Sequence, residues 1–168
     1  MMNNKVVKAL NEQINAELYS SYLYLSMSAF FSDINLNGFA NWMRAQAQEE
    51  LFHAMKFFDY VNERGGRIEL KNIEQPKKEW KSILEVIEET LAHEKHVTAL
   101  INNLVDLAIS EKDHATNNML QWFVAEQVEE EASVSDLLGQ VKIAENHKGA
   151  IFMIDKELKT RVFTPPTE

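Results

Sequence analysis

The sequence predicts an all-α protein in which four long helices form a bundle, a long crossover joins helices two and three, and a short fifth helix follows. Five glycines and three prolines in 168 residues are too few for a sheet protein with many turns. Apolar residues recur at helical spacing along four long stretches. We expect one domain over residues 1–168, with the bundle at about 4–143, the fifth helix at about 147–159 and a tail at 160–168.

The first helix has an apolar seam that one carboxylate interrupts. That residue is Glu17, and Tyr24 lies seven residues later on the same face. The polar segment 32–38 ends the helix, because Asn35 and Gly38 supply turn chemistry. The chain is therefore expected to reverse direction here.

The second helix is predicted from near Phe39 to the glycine pair at 65–66, where a glycine cap is expected. Its seam is interrupted by Glu50 and His53. Because these residues are three apart, their side chains project from one face of the helix. The segment 66–81 is polar and has no helical seam, so it predicts a long connection.

The third and fourth helices repeat this layout. The third seam runs over about 83–108 and is interrupted by Glu94, while the fourth runs over about 116–141 and is interrupted by Gln127 and Glu130. Short, long and short connections between four helices predict two antiparallel hairpins joined by a crossover.

The polar residues that interrupt the four apolar seams lie at similar distances from the turns of the two hairpins, near the middle of helices about 40 Å long. Ionised carboxylates in an apolar interior are costly unless positive charge or protons accompany them, and no lysine or arginine occupies these seams. Two divalent cations would balance the carboxylates, and neutral His53 would add a nitrogen ligand. We predict that Glu50 bridges two metals, that His53 and Glu17 complete one site, and that Glu94 and Glu130 complete the other.

Further acidic residues flank these core positions. Glu49, Glu126 and Glu129 could join Glu130 in a third cation site or an entry path. Solvation at the surface explains these carboxylates almost as well. Tyr24 could hydrogen-bond a ligand or donate an electron to oxygen, or it could be an ordinary core tyrosine.

One tryptophan and four histidines are predicted to have no role in the metal site. Trp122 is predicted to serve packing, as large aromatic side chains usually do. The remaining histidines are predicted to lie at the surface, because they fall off the seams or near helix ends: His93, His96, His114 and His147.

Composition and charge exclude several classes of function. The net charge of -9 opposes binding to nucleic acid and favours cations. The absence of cysteine removes disulfides and thiolate metal sites, and it fits a reducing compartment. No stretch approaches the roughly 20 apolar residues of a membrane span, and the start has no export pattern, so we expect a soluble cytoplasmic protein.

With these motifs the sequence resembles the bacterial non-haem ferritins over nearly its whole length. The residues that carry the resemblance are Glu17, Tyr24, Glu49-Glu50-x-x-His53, Glu94 and Glu126-Gln127-x-Glu129-Glu130. It implies a ferritin-like four-helix bundle in a homo-oligomeric cage of 24 subunits. Each subunit would oxidise Fe(II) with O2 or H2O2 at a ferroxidase centre, and a ferric mineral would be stored in the cavity.

The resemblance also implies two to three iron ions per subunit. The two-iron centre maps to Glu17, Glu50, His53, Glu94 and Glu130, with Gln127 nearby, and the third site maps to Glu49, Glu126, Glu129 and Glu130. Haem is not expected. Bacterioferritins have a methionine where this chain has Leu51, and they carry histidine at the fourth-helix position that Glu130 occupies here.

Two alternatives remain open on the sequence alone. One is another di-iron enzyme, an oxidase or peroxidase with a substrate pocket beside the metals. The other is a helical binding protein without metal, whose core glutamates would be exposed by a different register. Cage assembly and Fe(II) binding distinguish these alternatives from a ferritin.

Overall fold

The computed structural model describes residues 2–165, which contain five α-helices and no strand. The helices are α1 (Asn4–Asp33), α2 (Asn37–Glu63), α3 (Ile83–Ser110), α4 (His114–Ala144) and α5 (Lys148–Leu158). The predicted all-α bundle with a long crossover and a short fifth helix is confirmed. The predicted tail at 160–168 is described only as far as residue 165, because residues 166–168 lie outside the described part.

The turn between α1 and α2 is shorter than predicted. Asn35 has a φ of 62°, the left-handed conformation that asparagine tolerates better than most residues. The prediction that Gly38 belongs to this turn is wrong, because Gly38 lies in the first turn of α2. A Cβ atom there would meet the carbonyl oxygen of Asp155 at 1.6 Å, so this glycine allows α5 to approach closely.

The other helix ends follow the expected local chemistry. The glycine cap of α2 is present: Gly65 has a φ of 70°, and the Gly66 amide donates to the Val61 carbonyl at 2.8 Å. Ser82 caps α3, since its side chain accepts from the Glu85 amide at 3.1 Å. The segment between these helices has no helix of its own, as predicted.

Two apolar clusters fill the bundle at different heights along its axis. One contains Tyr24 and Phe31 from α1 with Val134 from α4, and the other contains Leu10 from α1 with Phe123 from α4. Buried polar residues lie at intermediate positions on all four helices; they include Glu17, Ser20, Gln46, Glu50, His53, Glu94, Gln127 and Glu130. The helices therefore place a polar layer across the middle of the core.

The fifth helix is fixed to the start of α2 by a buried carboxylate. Asp155 Oδ1 accepts hydrogen bonds from the amides of Gly38 at 2.7 Å and Phe39 at 3.1 Å. These amides are free donors because they lie in the first turn of α2. None of the helices in the described part is long and apolar enough to cross a membrane.

Candidate metal centre

The predicted two-iron residues lie together in the polar layer, and each is at most 5% exposed. α1 supplies Glu17, α2 supplies Glu50 and His53, α3 supplies Glu94, and α4 supplies Glu130. Within residues 2–165, no lysine or arginine pairs with any of these carboxylates. The layer therefore concentrates acidic groups without a fixed positive charge.

One group of three side chains has the geometry of a cation site. Ligand atoms of Glu17, Glu50 and His53 lie within 4.8 Å of one another. Gln13 donates to Glu17 Oε1 at 2.8 Å, and Glu50 Oε2 lies 3.4 Å from His53 Nδ1. However, Glu17 Oε2 and Glu50 Oε2 accept no hydrogen bond from the described residues. Buried carboxylate oxygens without donors are unfavourable, and a cation would satisfy them.

A second group uses the other side of the histidine. Ligand atoms of His53, Glu126 and Glu130 also lie within 4.8 Å of one another, and His53 Nε2 is 3.9 Å from Glu126 Oε1. Glu94 belongs to neither group, although we expected it to pair with Glu130. His53 therefore stands between two acidic groups and faces each with a different ring nitrogen.

Glu94 is held by neutral hydrogen-bond donors. The Tyr24 hydroxyl donates to Glu94 Oε1, and Gln127 Nε2 donates to Glu94 Oε2 at 3.3 Å. Gln46 plays the same role for Glu130, because its Nε2 donates to Glu130 Oε2 at 2.8 Å. Gln46 was not among the predicted site residues, although its position one helical turn before Glu50 is a usable signal.

Burial and mutual repulsion raise the pKa values of these carboxyl groups. Burial first, then the charge of Glu94, raises the pKa of Glu130 to about 8, and burial raises that of Glu94 to about 7. The pKa of Glu50 is raised well above its usual value by burial and by the charges of Glu94 and Glu17. Without metal the centre therefore retains protons, which a bound cation would displace.

The residues of the predicted third site are less completely assembled. Glu126 approaches His53, whereas Glu129 is exposed. Glu49 forms an ion pair with Arg161, with 2.5 Å between Glu49 Oε2 and Arg161 Nη2. Glu49 is still close enough for its charge to contribute to the raised pKa values of Glu126 and Glu130, behind the larger effect of burial. Arg161 was not predicted at this site, and no local pattern indicates a contact across 112 positions.

The prediction that His93 lies at the surface is wrong. Its Nε2 is 2.7 Å from Ser20 Oγ, and its ring lies edge-on to Tyr24 with 5.8 Å between ring centroids. Burial, followed by the neighbouring charge of His96, lowers the pKa of His93 to about 4. His93 is thus a neutral packing residue behind Tyr24. The other histidines predicted at the surface, His96, His114 and His147, are exposed.

Trp122 contacts the centre more closely than its packing interpretation required. Its ring lies 5.5 Å from the ring of His53 and 4.8 Å from that of Phe123, measured between centroids. Lys56 places its Nζ 4.6 Å from the Trp122 ring centroid. Trp122 therefore helps to fix the orientation of the His53 ring.

Comparison with known proteins identifies similar chains along almost the entire sequence. The model of the Ferritin family, which describes a ferritin-like domain, matches residues 7–144 of this chain. A bacterial non-heme ferritin of Bacteroides fragilis is 45% identical over 161 residues, which cover 96% of this chain and 100% of the relative. A bacterial non-heme ferritin of Campylobacter jejuni is 41% identical over 159 residues and 95% of each chain.

Solved structures give the same result at the level of the fold. A closed form of the Archaeoglobus fulgidus ferritin, engineered by mutagenesis, has a TM-score of 0.97 and 54% sequence identity, and covers 98% of this chain and 100% of that one. An open-pore ferritin from the same archaeon has a TM-score of 0.95 and 54% identity, and covers 96% of this chain and 99% of that one.

Proposed function

This chain belongs to the ferritin family, and we propose that it is an iron-storage subunit that oxidises Fe(II) at a two-iron centre inside its own helix bundle. One observation carries this proposal: Glu17 and Glu50 each have a buried carboxylate oxygen without a hydrogen-bond donor among the described residues, and His53 lies beside them. Divalent transition-metal ions that accept both carboxylate and imidazole ligands suit such a pocket. Ferrous iron meets this description, and here it is the substrate.

We assign the following roles. Glu17 and His53 hold the first ferrous ion, Glu94 and Glu130 hold the second, and Glu50 bridges them. Gln46, Gln127 and Tyr24 orient the carboxylates by donating hydrogen bonds. For the second ion, Glu130 and Glu94 must both turn towards Glu50. A third ion is proposed at Glu49, Glu126, Glu129 and Glu130.

The proposed chemistry needs no organic cofactor. Two ferrous ions together release two electrons, which with two protons reduce O2 to H2O2, or reduce H2O2 to two waters. Anionic oxygen ligands stabilise ferric iron more than ferrous iron, so the carboxylates favour oxidation. A single histidine among carboxylates leaves the ferric product able to move on to a mineral.

We further propose that the chain assembles into a homo-oligomeric cage of 24 subunits that stores the mineral in its cavity. The open-pore and closed forms of the similar Archaeoglobus fulgidus ferritins support this, because open and closed pores are features of a shell. Large apolar side chains that are exposed on the isolated subunit provide surface for contacts, and they include Val128, Ile143, Phe152 and Met153. A cytoplasmic location remains a prediction.

The first experiment measures oxygen-dependent Fe(II) oxidation by apo-protein, together with the particle size by light scattering. The variant Glu50→Ala/His53→Ala is expected to lose rapid oxidation while it keeps the particle size. Glu63→Ala removes an exposed carboxylate from the same helix and should behave as wild type. A wild-type particle that stays small, or that oxidises iron without storing it, would favour a different di-iron oxidase.

A further inference from the structure

We propose that Arg161 is an internal cation that competes with metal for Glu49, so that the third metal position opens only when Arg161 moves away. This inference rests on the proposed metal binding in the bundle. It concerns the segment after α5, which the two-iron centre itself does not use.

The Arg161 side chain is held at two points. Its Nη2 lies 2.5 Å from Glu49 Oε2, and its guanidinium carbon lies 4.5 Å from the centroid of the Trp42 ring. The side chains of Arg161 and Glu49 are only 23% and 21% exposed, so water screens this pair weakly. A charge-assisted bond together with a cation–π contact makes the position of the guanidinium specific.

The backbone around Arg161 is fixed to the same helix. The side-chain amide of Asn41 donates to the carbonyls of Leu158 at 3.1 Å and Arg161 at 2.9 Å. Beyond Arg161, the ring of Phe163 lies 6.1 Å from the ring of Phe52 between centroids. The segment therefore runs along α2 from its first turns to the residues beside His53, and Arg161 is placed at Glu49 by its backbone.

The ion pair changes which carboxylates are free to bind a cation. The acidic group beside the two-iron centre contains His53, Glu126 and Glu130, and it does not include Glu49. A cation that recruits Glu49 must first displace the guanidinium. This competition weakens the binding of a third ion without altering Glu17 or Glu50, neither of which forms a hydrogen bond or ion pair with Arg161 in the part of the chain that the structure describes.

The hydrogen bonding of the Arg161 guanidinium at Glu49 is incomplete, which makes displacement of this side chain feasible. Its Nη1 is buried and has no acceptor among residues 2–165. A buried donor without an acceptor is unfavourable, so the seated state is less stable than a fully bonded one. A divalent cation at Glu49 would let this nitrogen return to water. We infer that Arg161 keeps the third position a transit site for weakly bound ions.

The test measures Zn2+ binding to the full-length apo-assembly by calorimetry and locates the ions by anomalous diffraction. Zn2+ does not change its oxidation state, so the readout is independent of catalysis. Arg161→Gln should bind the ion at Glu49 about tenfold more tightly than wild type, as expected for removal of a partly buried competing charge. Affinity at Glu17, Glu50 and His53 should be unchanged.

Matched variants separate charge from packing. Arg161→Met keeps an apolar stem over Trp42 without the charge, and it should also strengthen the third ion. Arg161→Lys retains a cation and should leave that ion weak. Lys159→Gln removes the same charge from the same segment, but Lys159 faces Asp155 at 4.0 Å, so no effect is expected.

The outcomes also distinguish this inference from the proposed function. Equal third-ion affinity in wild type, Arg161→Gln and Arg161→Met overturns the inference, as does an equal gain in Lys159→Gln. The ratio of variant to wild-type Zn2+ affinity at Glu49 tests the inference whether or not ions occupy the bundle centre. Failure of Zn2+ to bind at Glu50 and His53 in wild type would instead count against the proposed function.

Discussion

Each carboxylate in the polar layer has its own hydrogen-bonding environment. Glu94 and Glu130 accept from neutral amide or hydroxyl donors, whereas one oxygen of Glu17 and one of Glu50 have no donor in residues 2–165. Neutral donors orient a carboxylate without cancelling its charge. The layer therefore keeps its attraction for cations while its geometry is partly preorganised.

Cation binding should release protons near neutral pH. Because the pKa of Glu94 is about 7 and that of Glu130 about 8, these groups are partly or mostly protonated in the apo-protein at pH 7. Zn2+ binding to them should release about one proton or more per subunit, and the release should decline above about pH 8. Calorimetry in buffers of different ionisation enthalpy measures this number. A release that stays constant from pH 6 to about pH 9 would contradict the assignment.

The apo-protein should lose stability as pH rises through this range. In the unfolded chain the pKa of Glu130 is near 4.5, and in the folded chain it is about 8. A group whose pKa is raised by folding makes its full contribution to stability at pH values below its unfolded pKa. That contribution is lost as the pH rises through its folded pKa. Glu130→Gln should therefore increase apo-protein stability at about pH 9 by about 1–2 kcal/mol and flatten the pH dependence.

Thermal unfolding in the presence of a chelator measures this effect. Glu129→Gln is the matched control, because it removes the same charge from an exposed neighbour on the same helix. Surface charges contribute little, so this variant should keep the wild-type pH dependence. Equal behaviour of the two variants would show that burial of Glu130 is not the cause.

At the scale of helices, the contact between α2 and α5 depends on one glycine. A side chain at Gly38 would overlap the backbone of Asp155, and backbone cannot rotate away as a side chain can. Gly38→Ala should displace α5 and lower the thermal midpoint by about 5 °C, the change expected for overpacking by about 1–3 kcal/mol in a chain of this size. Circular dichroism gives the midpoint, and limited proteolysis reports release of α5.

A second glycine provides the control for this substitution. Gly139 lies inside α4, and a Cβ atom there would meet nothing within 4 Å among the described residues. Gly139→Ala should therefore stabilise the helix by about 0.5–1 kcal/mol. If both substitutions had the same effect, close packing of Asp155 on Gly38 would not be the reason for the glycine.

At the scale of the whole molecule, the polar layer lowers the stability of the folded protein, because it interrupts a core that is apolar above and below the layer. Zn2+ should offset this cost, because a ligand that binds only the folded state stabilises it by about 2.7 kcal/mol per site at a hundred times its Kd. The thermal midpoint of wild type should rise with Zn2+ and fall again with a chelator. In Glu50→Ala/His53→Ala the rise should be much smaller, because only the weak third position keeps its carboxylates; a rise of wild-type size there would place the binding elsewhere.

Much of this architecture could be predicted from the sequence, because helices and their buried faces have a local cause. Seven-residue spacing identifies which side chains share a face, and it is sufficient to place five residues in one buried layer: Glu17, Glu50, His53, Glu94 and Glu130. The glycine cap at Gly65 and the long crossover also follow from local composition.

Contacts between distant segments depend on the tertiary structure. His93 is partly buried because α1 presents Ser20 and Tyr24 to a side of α3 that lies off its main seam. The contacts of Asp155 with Gly38 and of Arg161 with Glu49 depend on where α5 docks, and no periodicity records that position. The main buried face of each helix follows from its residues alone, because burial follows the helical repeat. Which buried residues contact one another does not follow from the sequence of each helix, because those contacts depend on how side chains from different helices are oriented.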